Sequence, residues 1–583
     1  MTGPEFPSPP RHSSVFVSEL RPPTRTSAGF TSSNTDDDVE QLAVTSWAAN
    51  ESFGVKVKLR GPEYTKNNTN DTNNTASKLE ELVAGCRVRD APKYDPREPK
   101  LVTQSIPLVG HVIGMVRHGL GYYTTLGDVP SPIFSMSMLN KKIYVVTSAA
   151  LVSTIQRSAK FISFEPFLNE VGDWLAGIKG DGLKLLQKPV KGGGSLSSAM
   201  VHAMATAISG SSLDKMNDTM ISFLQASMEE LSTATEDPID LYAWCRDAMT
   251  TASCEAVWGA KNPLRYKEIQ DTFWEYETNL PMLYINILPQ FTAQKPFKAR
   301  EKLVKEFLKF YEADGQWEAS ELSLVRWKIQ HEAGATIENI ARMEVTLCVG
   351  VLSNTVPTLF WTTFEIFSRP ELLLKLRQEV WDNAVHVSIS PEGNTIHCLD
   401  VADIRNKCTL LLSTFQEVLR LRSSSATIRT VLEDIEINNQ YLLKKGSMLQ
   451  LPAPFLNLEE STWGSDSANF NPYRFFDCDK EKVGRLRSKG YMSWGTSPHM
   501  CPGRHFASGE ILPAVAMFLV RYDITPVEGT WRHLSINREV IAASIPPPKE
   551  KFMVRFSERD NQDALKWEFR PSAEHGRFKL VTG

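Results

Sequence analysis

Apolar residues recur at three- and four-residue spacing over 213–233, 299–328, 338–368, 370–385 and 403–422, the period of amphipathic helices. Short extended runs with turn residues stand at 141–147 and 428–451. Within the second, Asp434-Ile435-Glu436-Ile437 and Tyr441-Leu442-Leu443 flank Asn438-Asn439-Gln440 and predict a hairpin. The stretch 453–500 is rich in Pro, Gly and Ser and has little periodicity. So long an irregular segment inside a compact domain points to function. The most apolar windows, 345–361 and 511–520, predict buried helices. Ser353, Asn354 and Pro357 interrupt the first, and the second is too short to span a bilayer. Together these elements predict a mainly α fold with small β-sheets and no internal repeat.

The pattern changes at about Pro99. Residues 1–98 read as a disordered, low-complexity tail, and 99–583 as one globular domain. The run Lys66–Thr75 is polar and holds N-x-T sequons at Asn67, Asn70 and Asn73. These are either glycosylation acceptors or part of a tract that never meets the lumen. The early prolines Pro4, Pro7, Pro9, Pro10, Pro22 and Pro23 fit neither a signal peptide nor a membrane anchor. The 583 residues are 42% hydrophobic and 23% charged, which excludes a fibrous or wholly disordered chain. A net charge of -4 gives no reason to expect nucleic acid as a partner. The eight cysteines include no C-x-x-C pair and are too sparse for a disulfide scaffold. They read as reduced thiols on the cytosolic side of any membrane, with peripheral membrane contact left open.

The chemistry gathers in Tyr491–Ala507, a Gly/Ser/Pro loop expected to enter a helix near Pro502. That places Cys501 at a helix N-terminus, where unpaired N–H groups and the helix dipole favour the thiolate. Gly503 lets a flat ligand approach the backbone. A single cysteine without partners at metal-ligand spacing suits one axial ligand, as in haem-thiolate sites. A structural cysteine at a helix start is the plainer reading of Cys501 alone.

The surrounding residues favour ligation. Trp494, His499, Cys501 and Gly503 resemble the haem-binding signature of the cytochrome P450 superfamily, with Ser497 where glycine is usual. The resemblance implies the cytochrome P450 fold, haem b as cofactor, Cys501 as the iron ligand and His499 as a propionate partner. Roughly 80 residues earlier, Glu417-Val418-Leu419-Arg420 resembles the family's E-x-x-R helix, and Pro472-Tyr473-Arg474-Phe475 its P-x-R-F segment. Glu417, Arg420 and Arg474 are thereby expected to form a buried network; by spacing alone the first two are an ordinary ion pair on one helix face. Arg429, before the hairpin, is either a second propionate partner or a solvent-facing arginine at a strand end. The family's opening Pro-x-x-Gly segment has a counterpart in Gln104–His111, whereas no Trp-x-x-x-Arg helix is found in 160–220.

Within 338–368, Pro357 cannot donate to the carbonyl of Ser353, which predicts a kink with a polar pocket beside Asn354 and Thr355. A satisfied core threonine beside a proline kink is the bland alternative. The family usually carries an acid before this threonine. Here Asn354-Thr355-Val356-Pro357…Phe360-Trp361 is instead similar to the branch of sterol 7-alpha-hydroxylases and prostacyclin synthase, which has fungal members. A water chain ordered by Thr355 and Asn354 is the expected substitute for the acid. The resemblance implies a monooxygenase that uses O2 to oxidise a lipophilic small molecule such as a steroid, terpenoid, alkaloid or polyketide, in secondary metabolism. NADPH-cytochrome P450 reductase is the expected electron source, and the endoplasmic reticulum surface a candidate location. A haem-thiolate isomerase or dehydratase acting on a peroxide, a non-catalytic haem binder, and a cysteine nucleophile using His499 or His505 as base are the other readings.

Overall fold

In a computed structural model of the protein, residues 95–582 are described apart from short internal stretches, of which 104–110 is the longest. The tail reading, up to residue 94, and the segment Gln104–Gly110 lie outside the described residues. Residues 95–98 already belong to the fold: Glu98 is buried and accepts hydrogen bonds from Lys142 and the Tyr144 hydroxyl.

The chain runs through β1 (Ile133–Met138), β2 (Lys141–Val146) and β3 (Ile162–Ser163), then α1 (Leu196–Ala207) and α2 (Gly210–Thr233). Next come β4 (Ile239–Asp240), α3 (Leu241–Trp258), α4 (Lys267–Thr278), α5 (Gln294–Glu312) and α6 (Glu321–Glu332). The long α7 (Ile337–Phe367) leads to α8 (Pro370–Ala384), β5 (Val385–Ile389), β6 (Thr395–Asp400), α9 (Val401–Lys407) and α10 (Thr409–Arg422). Then follow β7 (Ala426–Val431), β8 (Ile435–Ile437), β9 (Tyr441–Leu443) and β10 (Met448–Pro452). The remaining elements are β11 (Gly495–Thr496), β12 (His499–Met500), α11 (Arg504–Arg521), β13 (Tyr522–Pro526), β14 (Met553–Glu558) and β15 (Leu565–Arg570). Shorter helices are given below by residue number.

Local chemistry sets the boundaries. Thr336 caps α7 by accepting from the Asn339 N–H, and Asp400 caps α9 by accepting from Ala402 and Asp403. Pro370 opens α8 at a first-turn position, where its missing N–H costs nothing. The hairpin β8–β9 forms as expected because Asn438 and Asn439 both take positive φ, 51° and 52°, which asparagine tolerates in a tight turn.

Three expectations need correction. The pattern over 299–328 is two helices, broken where Asp314 turns left-handed (φ 55°) ahead of a 3₁₀ turn at Gly315–Trp317. The pattern over 403–422 is likewise two, α9 and α10, parted at Cys408. The segment 453–500 is less irregular than its composition suggests, with helices at Ala453–Leu456, Glu460–Trp463 and Lys480–Lys489.

The principal sheet has the order β1-β2-β10-β7-β3, with β10 parallel to β2 and antiparallel to β7. A second sheet is ordered β13-β14-β4, and a third β15-β6-β5, in which β15 runs parallel to β6. The helical core forms around α7 and α11, both apolar on nearly every face. Helix α7 packs against α3, α5 and α11. It is long and apolar enough to cross a membrane, yet most of its apolar window is buried inside the protein.

Candidate active site

The residues Tyr491–Ala507 fold into a short hairpin that delivers Cys501 to the start of α11. Strands β11 and β12 pair antiparallel, Gly495 against Met500 and Thr496 against His499. Gly495 takes φ +77°, which an L side chain would resist. The Cys501 N–H then donates to the Trp494 carbonyl at 2.8 Å and closes the loop. Helix α11 begins at Arg504 with Gly503 as its N-cap, so the helix starts slightly later than Pro502 suggested. A Cβ added to Gly503 would stand 3.8 Å from the Cys501 sulfur.

Six cysteines fall among the described residues, none in a disulfide; five are buried and Cys501 alone is exposed. Its sulfur lies deep in the fold yet its surface is open. Burial pushes the Cys501 thiol up, while the Gly503 N–H and Arg504 pull it down. Burial outweighs the helix-start effect, contrary to the expectation that the loop itself favours the thiolate; a bound metal cation would supply the missing positive charge.

Beside this loop, β7 brings in Arg429. It is 3% exposed, and its guanidinium donates to the carbonyls of Thr496 (3.0 Å) and Ile428 (2.8 Å) and lies over Phe164. Burial lowers it to about 10, and no carboxylate among the described residues pairs with it. A buried cation bonded only to neutral acceptors calls for an anion. His499 is half-buried on β12, its ring 6.0 Å from Phe164. Burial, then Arg429 and His202, hold its pKa down. His202 on α1, missed in the sequence, is exposed and bonds the Ser198 carbonyl of its own helix. The Trp494 indole N–H is buried without a hydrogen-bond partner. An exposed cysteine, a buried arginine and an orphaned indole donor, on adjoining elements, fit a flat anionic macrocycle ligated by thiolate.

Behind the loop, Glu417 and Arg420 are fully buried and form a bidentate pair, Nε–Oε2 2.7 Å and Nη2–Oε1 2.8 Å. Arg474 reaches the same carboxylate at 3.1 Å and also binds Asp466 at 2.9 Å. Arg420 donates further to the carbonyls of Asn457 (2.7 Å) and Ser467 (2.6 Å). Asn457 passes the network on, accepting from the Met492 N–H at 2.8 Å and donating to Ser493 at 3.2 Å. The three expected residues therefore meet, and Asp466 and Asn457 join them.

Helix α7 carries the two remaining expected residues, Asn354 and Thr355. The helix continues through Pro357, although proline has no N–H to give the Ser353 carbonyl. The Thr355 hydroxyl is buried and donates back to the Val351 carbonyl at 2.8 Å, and Thr358 does the same to Asn354 at 2.6 Å. Asn354 accepts from the Ser544 N–H at 2.6 Å, tying α7 to the segment before β14. Thr355 and Asn354 thus sit on adjoining positions but already hold protein partners.

The cytochrome P450 family profile matches residues 99–554. A cytochrome P450 monooxygenase, nodJ, from Hypoxylon pulicicidum is 41% identical, covering 86% of this chain and 97% of that protein. A cytochrome P450 monooxygenase from Gibberella zeae is 28% identical over 76% and 84%. Cholesterol 7-alpha-monooxygenase from Cricetulus griseus is 23% identical over 77% and 92%. Among solved structures, retinoic acid bound cyanobacterial CYP120A1 superposes with a TM-score of 0.61 at 16% identity, covering 79% of this chain and 99% of that one. The chain belongs to the cytochrome P450 family. It is a P450 monooxygenase, with haem iron held by a cysteine thiolate, and its relatives include both fungal monooxygenases and the sterol 7-alpha-hydroxylases that the α7 pattern resembles.

Proposed function

We propose that Cys501 is the thiolate that holds the haem, and that the enzyme inserts one oxygen atom from O2 into a lipophilic small molecule of steroid, terpenoid, alkaloid or polyketide type. The single observation behind this is Cys501 itself, the one described cysteine with an open surface, at the mouth of a glycine-flanked loop. Bound haem supplies reductive O2 activation and O–O cleavage, which thiolate donation favours.

The protein's residues do the rest. Arg429 and His499 receive the propionates, the first as a fixed cation and the second as a hydrogen-bond partner. Gly503 keeps the loop thin enough for a ring to lie against it, and Trp494 brings a buried, unpartnered indole donor. The network of Glu417, Arg420 and Arg474 anchors the loop through Asn457 and Ser493. Thr355 and Asn354 order the opposite wall. Electrons come from an NADPH-cytochrome P450 reductase at the cytosolic face of the endoplasmic reticulum, and relatives named as monooxygenases of fungi and of sterols support a biosynthetic substrate.

The reduced, CO-bound difference spectrum of purified protein tests the assignment. A strongly red-shifted thiolate band is expected in the parent and its loss in Cys501→Ala. Full pigment and full turnover in Cys501→Ala would overturn it.

A further inference from the structure

The amide of Asn354 has a defined polarity. Its Oδ1 accepts the Ser544 N–H at 2.6 Å. A backbone N–H can only donate, so the oxygen end of the amide is fixed on Ser544 and the NH2 end leaves by the other branch of the planar group. Nδ2 bonds to nothing among the described residues. It is not sealed in either, unlike the Ser353 hydroxyl beside it, which is buried without a partner.

Helix α7 itself marks the space that this NH2 meets. Most of the helix is buried, yet Thr346 and Asn354 are half-buried and Gly350 between them is exposed. Lying four residues apart, these three form one row along the helix. A Cβ built on Gly350 would meet nothing within 4 Å, which is open space. In the neighbouring row Met343, Leu347 and Val351 keep 6–8% exposure, whereas Val345, Leu352 and Val356 on the far side keep none. The open row closes at Thr358, which is buried. The middle of α7 therefore borders a hollow, apolar along Leu347 and Val351 and ending at the Asn354 amide. Thr346 adds no donor, because its hydroxyl is spent on the Met343 carbonyl at 2.7 Å.

The clamp on Asn354 also ties this hollow to the Cys501 loop. The Ser544 carbonyl accepts from the Ser424 N–H at 2.7 Å, two residues before β7 begins. On β7, the Thr427 hydroxyl oxygen stands 3.8 Å from where a Cβ on Gly495 of β11 would lie, and Arg429 follows two residues later.

We infer that Asn354 sets specificity as a fixed hydrogen-bond donor: the enzyme selects a lipophile that already carries an acceptor oxygen, a carbonyl or an ether, which the Asn354 NH2 engages in the hollow beside Gly350. This rests on the haem site and lipophilic substrate proposed above. A ligand without that oxygen leaves the donor desolvated and unpaired, which is how a polar group in an apolar pocket discriminates. The substrate is therefore the product of an earlier reaction that left oxygen on its carbon skeleton.

Pyridines that ligate haem iron supply probes with and without the acceptor. The 3- and 4-isomers of benzoylpyridine carry a carbonyl where the matching benzylpyridines carry CH2. Titration of the purified ferric holoprotein, followed by its Soret shift, gives a benzyl-to-benzoyl Kd ratio for each pair. Comparing that ratio between parent and variant cancels the electronic difference between the two probes. In at least one pair it should fall about three- to tenfold in Asn354→Leu, the worth of one neutral hydrogen bond. Asn354→Asp keeps an oxygen for the Ser544 N–H but offers the hollow a second oxygen; at about pH 8, where the carboxylate is ionised, the ratio should fall at least as far. The infrared band of an isotope-labelled benzoyl carbonyl should stand at lower wavenumber in the parent than in either variant. Gly350→Leu fills the hollow and should weaken both members of that pair about fivefold or more while the CO-bound thiolate band remains; unchanged affinity for both would show that no ligand enters there and overturn the inference. Should Asn354→Leu fail to fold, Asn354→Asp decides, since it keeps the clamp. Parental ratios and a parental carbonyl band in the folded variant, for both isomers, overturn the inference while the thiolate band stands. A parent with neither the thiolate band nor a pyridine-induced shift overturns the proposed function, and this inference with it.

Discussion

Arg429 shows most directly how one side chain can declare a ligand. A guanidinium bonded only to carbonyls in the interior is short of negative charge. A charge-assisted bond is worth about 1.5–3 kcal/mol, so Arg429→Ala should weaken haem retention roughly ten- to a hundredfold. Apomyoglobin competition against the purified holoprotein measures it, and unchanged retention would refute the pairing. The sequence left this arginine undecided between strand end and propionate, because burial is invisible in a single residue. Cys501, His499, Trp494 and Gly503 were legible because their spacing is a constraint of one loop.

Secondary-structure elements carry the rigidity that those residues need. The pair Glu417–Arg420 lies on α10, but its remaining bonds go to backbone carbonyls of 457–469 and through Asn457 to the loop before Cys501. Removing one partner leaves a buried charge without compensation. Glu417→Ala should therefore cost about 3–5 kcal/mol, read as a lower urea midpoint, with haem loss accompanying it. A loss under about 1 kcal/mol would mean that solvent reaches the site. The motif spacing revealed Glu417, Arg420 and Arg474; the acceptors were hidden because main-chain carbonyls have no sequence signature. Helix breaks were hidden similarly. At 313–320 the apolar period persists on both sides of a left-handed Asp314, so periodicity alone joins α5 to α6. The hairpin β8–β9 was readable because its turn demands residues that accept positive φ.

At the scale of the molecule, the segment after residue 554 lies beyond the family match but inside the fold. Strand β15 lies parallel to β6, and Gln225 of α2 bonds its backbone on both sides of Glu568, to the Trp567 carbonyl and from the Phe569 N–H, each at 3.3 Å. Farther on, Phe578, Leu580 and Val581 are buried, and the Val581 N–H donates to Gln416, the neighbour of Glu417, at 2.6 Å. Fully burying such a side chain contributes about 1.5–3 kcal/mol. Deleting residues 576–583 should thus lower the stability of the holoprotein by several kcal/mol, seen as a fall in Tm with earlier release of pigment. An unaltered melting curve would show that the segment only decorates the surface. The mainly α class was legible from period and composition; this closing segment was not, because its partners lie far away along the chain.

That inward-turned segment has a consequence for how the protein is made. While a ribosome is still adding the residues around 580, α10 lacks the cover they will give it, although every motif for pigment binding has already been translated. Final closure of the haem domain must wait until those residues emerge, so the nascent chain needs protection through the whole of its synthesis.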